Sequence, residues 1–284
     1  MLNLAAIGRE RVVERAWSER DAILYALAVG AGQDDCGSEL ELTTENSAEV
    51  DLRVLPTFAT LLQAQPTLLL SDSEEPLRPE QIAGFVHGSQ SLTMHGQLPT
   101  AGRVRVTGVI REIYDKGSGA LVEAVSEVRD AATGEPIATL VNGTFARGDG
   151  GFGGPRGEPA RWERPDREPD RRRIYATAPN QALLYRLTGD RFPLHSDPAF
   201  ARRAGFEGPI MHGLCTFGFT GRALVEEVCG RDLARFGSIR GRFTRPVYPA
   251  TTLEVSIWRT DDGALFQTTA GGEVAVDHGV FTLA

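Results

Sequence analysis

Asp190 and His195 stand five residues apart in "YRLTGDRFPLH", Tyr185 to His195, a stretch broken by Gly189 and stiffened by Pro193. Held that closely, the two side chains converge on one point. A neutral imidazole with a pKa of about 6.5 takes a proton from water near neutral pH. A neighbouring carboxylate orients that water, or donates a proton where burial raises its own pKa. The third requirement is a group that stabilises an oxyanion. "MHGLC", Met211 to Cys215, opens an apolar run, and it places the N–H groups of Gly213 and Leu214 in the first turn of a helix. Such groups have no acceptor within the helix and sit at its positive dipole end. Together these parts suit a reaction through an enolate beside a carbonyl, such as adding water across the double bond of a conjugated thioester.

The elements that must hold these groups follow from pattern. After His195, Asp197 is a good N-cap, Pro198 an ideal first helical residue, and Gly205 a stop. The catalytic stretch is therefore an irregular loop ahead of a short capped helix. "HGLCTFGFTGRALVEEVCG", His212 to Gly230, is apolar on most of its surface and predicts a buried helix. Gly213, Gly218 and Gly221 weaken it by roughly 1 kcal/mol each relative to Ala, a cost that close packing against a sheet offsets. "GRVRVTGVIREIYD" and "GALVEAVSEVRD" alternate as half-buried antiparallel strands around "KGSG", and "GEPIATLVNGTFAR" reads as a third. "GSIRGRFTRPVYP", "TTLEVSIWRT" and "ALFQTTAGGEVAV" repeat that role later in the chain. With no βαβ alternation, the class is α+β with antiparallel sheet.

The chain also repeats itself. Ala146 to Arg173 is dense in Gly, Pro and charge, without helical or strand periodicity, and divides the sequence. "ILYALAVGAG" (Ile23 to Gly32) matches "LLYRLTGDRF" (Leu183 to Phe192), and "LPTAGRVRVTGVI" matches "YPATTLEVSIWRT". Tyr25 pairs with Tyr185 at an offset of 160 and Pro99 with Pro249 at 150. Two matches in the same order indicate duplication. The expected units are residues 1–147, a linker over 148–174, and 175–284.

"YRLTGDRFPLHSDPAFARRAGFEGPIMHGLCTFG" resembles the signature of the MaoC-like, or type 2, enoyl-CoA hydratases, roughly T/S-G-D-x-N-P-L/I-H followed by a P-I/L-x-H-G helix start. "VLPTFA", "FVHGSQSLTMHGQLPTAG", "YDKGSGALV" and "GGFGG" extend the resemblance over nearly the whole chain, to the two-hot-dog subgroup of peroxisomal multifunctional enzymes and their bacterial relatives. The resemblance implies a double hot dog, two antiparallel sheets each wrapped around a central helix. It implies reversible hydration of trans-2-enoyl-CoA to (3R)-3-hydroxyacyl-CoA without metal or added cofactor, CoA being part of the substrate, and it suggests a homodimer. Asp190 and His195 match the catalytic pair, and Gly213 the position whose N–H meets the thioester carbonyl. The first half has Gly30 where Asp190 aligns and no equivalent His, so it is expected to bind acyl chain rather than catalyse. One departure stands out: Phe192 occupies the place of the usual Asn and cannot make its hydrogen bond.

Other residues have plainer readings beside the functional ones. Phe192, His212, Leu214 and Arg242 are the expected substrate contacts, although His212 also suits a helix N-cap. Arg202, Arg203 and Arg240 join Arg242 as candidates for CoA phosphates, or are solvated arginines. Cys215 is expected in the core. His87 and His95 are strand or acyl-tunnel residues. Asp190, His195 and His212 have no spacing typical of a metal site. A thioesterase would need a carboxylate near the start of the buried helix, and Glu226 and Glu227 lie at its far end. A catalytically weak acyl-CoA binder is the other alternative.

The 284-residue chain carries a net charge of −8, which argues against general nucleic-acid binding. Nearly all its basic residues are Arg; Lys116 is the only lysine. Cys36, Cys215 and Cys229 show no CxxC spacing and fit free thiols in a reducing cytosol. No apolar run reaches the roughly 18 residues of a membrane span, and the N-terminus does not read as a signal peptide. The expectation is a cytoplasmic bacterial enzyme.

Overall fold

The structure is a computed structural model that describes residues 2–65, 67, 70, 84–158 and 161–284. Ten strands form one antiparallel sheet: β1 (Glu10–Trp17), β2 (Phe85–Met94), β3 (Gly102–Asp115), β4 (Gly119–Asp130), β5 (Pro136–Arg147), β6 (Arg171–Ala176), β7 (Phe236–Phe243), β8 (Thr252–Thr260), β9 (Gly263–Ala270) and β10 (Glu273–Leu283). Their order is β1-β3-β4-β5-β2-β7-β10-β9-β8-β6. Read from each edge inward, the two halves have the same connectivity. β1, β3, β4, β5 and β2 correspond to β6, β8, β9, β10 and β7, so the duplication inferred from Tyr25/Tyr185 and Pro99/Pro249 is a pseudo-two-fold in the fold. The two expected sheets are not separate. β2 pairs with β7, Gln90 opposite Gly241 and Leu92 opposite Ile239, and fuses them edge to edge.

The strand patterns translate directly into this sheet. In β3 Val104, Val106, Ile110 and Ile113 are buried, and in β8 Leu253, Val255 and Ile257. "ALFQTTAGGEVAV" is two strands rather than one, because the chain reverses at Gly271–Gly272, both with positive φ. The charged "RRRIYA" is the edge strand β6, which buries Tyr175 and leaves its arginines outside. That strand opens within the stretch read as linker. The remaining linker is tied to the sheet. The Asp115 carboxylate accepts from Gly117, Gly151 and Gly153 N–H at 2.8, 2.9 and 2.7 Å. Trp162 and Trp258 donate to the Gly279 and Arg167 carbonyls at 3.0 and 2.8 Å.

Five α-helices complete the described chain: α1 (Glu19–Ala28), α2 (Leu40–Thr43), α3 (Gln181–Tyr185), α4 (Pro198–Arg203) and α5 (Gly213–Glu227). Ser18 and Asp21 form a capping box on α1. α5 is the buried helix of the second half, with Phe217, Phe219 and Leu224 fully enclosed. At the corresponding place in the first half the described chain forms a 3-10 helix, Pro56–Leu62. One apolar core takes in both halves. Gly218 and Gly221 of α5 answer to the other half of the molecule, not to the sheet. A Cβ on Gly218 would lie 2.4 Å from Val29 Cγ1, and one on Gly221 2.5 Å from Thr57 Cγ2. Tyr25 and Tyr185, the matched pair, meet edge to face at 6.2 Å between these elements. Among the described residues, no helix is long and apolar enough to cross a membrane.

Candidate active site

The Asp190 loop is shaped by its own sequence. α3 passes into a 3-10 turn, Arg186–Thr188, that ends at Gly189 with φ +135°. Asp190 then folds over the chain that follows, its Oδ1 accepting from the Phe192 N–H at 3.0 Å. Residue 192 contributes only its main-chain N–H to this bond, so any residue but proline there supplies it. The Phe192 ring packs edge-on against Phe200 of α4 at 5.3 Å and stands 6.4 Å from the His195 ring. Phe192 therefore walls the loop instead of donating a side-chain hydrogen bond. Pro193 starts the 3-10 turn that delivers His195. Asp197 caps α4 through the Ala199 and Phe200 N–H groups, as its position required.

His195 is buried, and its Nδ1 meets the Ile210 carbonyl at 2.8 Å. A carbonyl only accepts, so Nδ1 carries the proton and the neutral ring keeps its lone pair on Nε2. Burial holds its pKa below the ordinary value, against the opposing pull of the Ile210 carbonyl and Asp190. The base form is thus present at neutral pH. Asp190 is half exposed, and its Oδ2 stands 4.0 Å from His212 Nε2.

His212 precedes α5 but its side chain makes no cap. Its Nε2–H donates to the Asp190 carbonyl at 3.1 Å. One ring face stacks on His195, 3.6 Å between centroids at 24°, and Tyr185 lies 4.9 Å away. Burial lowers the His212 pKa, and the neighbouring His195 charge lowers it further. The ring is closed in between its neighbours rather than lining open space. Side-chain N and O atoms of Asp190, His195 and His212 all fall within 4.8 Å of one another.

Gly213 and Leu214 are the first residues of α5, so their N–H groups point out of its start. Gly213 leaves room for the Phe243 ring, which a Cβ there would approach to 3.3 Å. Leu214 is half-buried against the core. Arg242 does not belong to this group. Strand alternation turns Phe243 toward α5, where it meets Phe217, and turns Arg242 and Arg240 to the opposite, exposed face. Cys215 is fully buried and its thiol pKa is pushed up by burial, which removes it as a nucleophile. Glu226 and Glu227, at the far end of α5, pair with Arg173 at 2.6 Å and Arg171 at 3.4 Å.

Two neighbours were not singled out for this role by the sequence. His87 of β2 comes from the first half. Its ring lies 4.7 Å from Phe243, its Nε2 contacts the Ser89 carbonyl and Asn142, and burial lowers its pKa to about 4. Tyr185 backs His212. The signal for Tyr185 was its repeat partner; His87 had none, because β2–β7 pairing joins residues about 150 positions apart.

Among the described residues, the first half has no matching site. Gly30 has φ +81°, and a Cβ there would lie 2.3 Å from Phe219 Cε1 and 3.1 Å from Arg222 Nη1. Arg222, itself buried, fills this region. It binds both oxygens of Glu39 at 3.1 and 2.6 Å and donates to the Val29 carbonyl at 2.8 Å.

Comparison with known proteins agrees with this architecture. Residues 161–284 match the MaoC like domain, and residues 16–148 match the MFE-2 hydratase 2 N-terminal domain. The chain is 46% identical over 261 residues to 3-hydroxyacyl-thioester dehydratase Y of Mycobacterium tuberculosis, covering 90% of this chain and 87% of that protein. It is 40% identical over 256 residues to peroxisomal multifunctional enzyme type 2 of Mus musculus, covering 89% of this chain and 34% of that larger protein. A crystal structure of a MaoC-like dehydratase from Phytophthora capsici superposes with a TM-score of 0.86 at 32% identity, over 100% of this chain and 98% of the other. The chain belongs to the MaoC-like, type 2 enoyl-CoA hydratase family, in its double hot dog form.

Proposed function

We propose that the chain is a hydro-lyase that reversibly adds water to trans-2-enoyl-CoA, giving (3R)-3-hydroxyacyl-CoA. The observation that carries this reading is the joint placement of Asp190 and His195 at the start of α5, in a chain of this family. The thioester oxygen takes the N–H groups of Gly213 and Leu214, which stabilise the enolate. Asp190 Oδ2, the oxygen not committed to Phe192, holds the water. His195 Nε2 takes one proton as the water oxygen bonds C3, and the imidazolium returns that proton to C2. One OH and one H are added, and the enzyme ends as it began. These steps call for no metal and no cofactor besides the CoA of the substrate.

The acyl group we assign is medium, long or bulky, with the first half, which has Gly30 in place of a catalytic Asp, serving as its binding half. We also assign a homodimer in the bacterial cytoplasm, the dimer being checked by light scattering on the purified protein. The test of function is loss of conjugated enoyl absorbance with crotonyl-CoA and longer enoyl-CoAs. Wild type turns over and is indifferent to a chelator, and Asp190→Asn and His195→Ala lose at least about 100-fold in kcat. A wild type inert across all chain lengths sinks the assignment.

A further inference from the structure

The stacked histidines lead beyond the catalytic pair. Each ring has one nitrogen on a main-chain carbonyl, His195 Nδ1 on Ile210 and His212 Nε2 on Asp190. Neutral, the two rings keep their lone pairs on different atoms, His195 Nε2 and His212 Nδ1. Those atoms have unlike surroundings. His212 Nδ1 is fully buried with no hydrogen-bond partner among the described residues. A proton placed there would find no acceptor among the described residues and would face a neighbouring imidazole, 3.6 Å between ring centroids.

His212 also makes two contacts at once, and both are to the catalytic groups. Its N–H fixes the main chain of Asp190, while its ring face fixes the plane of His195. Tyr185 supports the ring from α3. The loop that carries Asp190 and the turn that carries His195 also meet at Phe192, whose N–H binds the Asp190 carboxylate and whose carbonyl accepts from the His195 N–H. The His212 ring adds a side-chain tie between the Asp190 main chain and the His195 ring itself.

We propose that His212 is a positioning residue that stays neutral while the enzyme works. It ties Asp190 to His195, and it leaves the single proton of the stacked pair to His195. This inference rests on the hydratase reading for its kinetic consequences, but its structural content does not. The charged and titratable groups facing His212 agree with it. His195 and Arg186 oppose a charge on the ring, and burial opposes it most; Asp190 alone favours one, from 4.0 Å and half in solvent. Tyr185 contributes no charge, since burial holds its hydroxyl far above neutral pH. His87 faces Asp190 from β2 and is itself held neutral by burial.

Two substitutions separate the two contacts. His212→Phe keeps an aromatic face for His195 and loses the donor to Asp190. His212→Gln keeps a donor and loses the face. With crotonyl-CoA as substrate, both are expected to lower kcat about tenfold and to leave KM within about twofold, since the affected groups act in the chemical step. The acid limb of the kcat profile separates them. In His212→Phe it stays where the wild type has it. In His212→Gln it moves up toward the ordinary histidine value of about 6.5, because water reaches the uncovered His195. Independently of turnover, NMR of wild-type protein labelled at the histidine ring carbons reads the titration of each ring. His212 is expected to show none between about pH 5 and 8. A His212 signal that titrates in that window overturns the proposal. So do two variants with wild-type kcat and pH profile. If the wild type has no hydratase activity, the function fails, and the NMR titration still decides the role of His212.

Discussion

Gly218→Ala sets two effects of opposite sign against each other. Gly218 lies inside α5, where replacing Gly by Ala stabilises an exposed helix by about 1 kcal/mol. Here the new methyl would lie 2.4 Å from Val29 Cγ1 and 2.9 Å from the Tyr25 hydroxyl, well inside the carbon contact distance of about 3.5–4.0 Å. Val29 and Tyr25 are both fully buried, and valine is stiff at χ1, so the relief must come from main chain. Overpacking of this kind costs about 3 kcal/mol, the upper part of its usual range. The net expectation is a loss of about 2 kcal/mol, or about 3–4 °C in Tm for a chain of this size. Urea denaturation of the wild type, Gly218→Ala, Val29→Ala and the double variant measures it. Removing Cγ1 should relieve the clash, giving a coupling energy of about 2 kcal/mol between the two sites. A more stable Gly218→Ala, or an identical loss in both backgrounds, would refute the claim that this glycine exists to let the halves approach.

Four further outcomes follow from contacts described above. Arg222→Met leaves Glu39 and the Val29 carbonyl without their partner and should cost about 3–5 kcal/mol in urea denaturation, with Glu39→Gln costing less. Three N–H groups hold the Asp115 carboxyl below the usual carboxylate range; because its folded pKa is depressed, its contribution is full above about pH 4 and is lost as pH falls further, so Asp115→Asn should flatten the acid side of Tm against pH. Gly30→Asp restores the residue that the repeat places there, yet it should destabilise by about 3 kcal/mol or more and add no turnover, since φ is positive and Phe219 already fills the space. Phe192→Asn should cost about 1–2 kcal/mol of packing on Phe200 and change kcat by less than about threefold, because the bond to Asp190 is made by main chain; a rise of tenfold would contradict that account of Phe192.

The sequence was most legible where a single physical rule acts locally. Alternation marked β3 and β4 to the residue, Asp197–Pro198 marked the start of α4, and an all-round apolar face marked α5. Asp190 and His195, singled out by their spacing, do lie together, beside His212, the residue that precedes α5. What stayed hidden depends on partners distant in the chain. β6 is an arginine-rich edge strand that buries little besides Tyr175, so its pattern resembles a charged linker. The glycines of α5 announced a close approach, but Val29 and Thr57 could be named only after the halves were docked. His212 looked like a helix cap because its neighbours are helical; its true partner is a carbonyl 22 residues earlier, a contact that carries no residue-type signature. Arg242 shows the limit of reading by charge: residue type suggested a phosphate contact, but only the alternation of β7 says that it lies on the exposed face, opposite Phe243.

The fusion of the two halves through β2 and β7 changes what a substitution can do. In a symmetric pair of identical subunits, every change strikes both sites together, so neither can specialise without the other. In one chain the same contact is made without regard to protein concentration, and each half takes its own changes. Gly30 and Phe219 show that freedom in use. The place where a second Asp would stand has become packing that steadies the helix bearing Gly213, and His87 crosses the seam to pack on Phe243 of β7. Inheritance by halves lets one take a change that its twin does not.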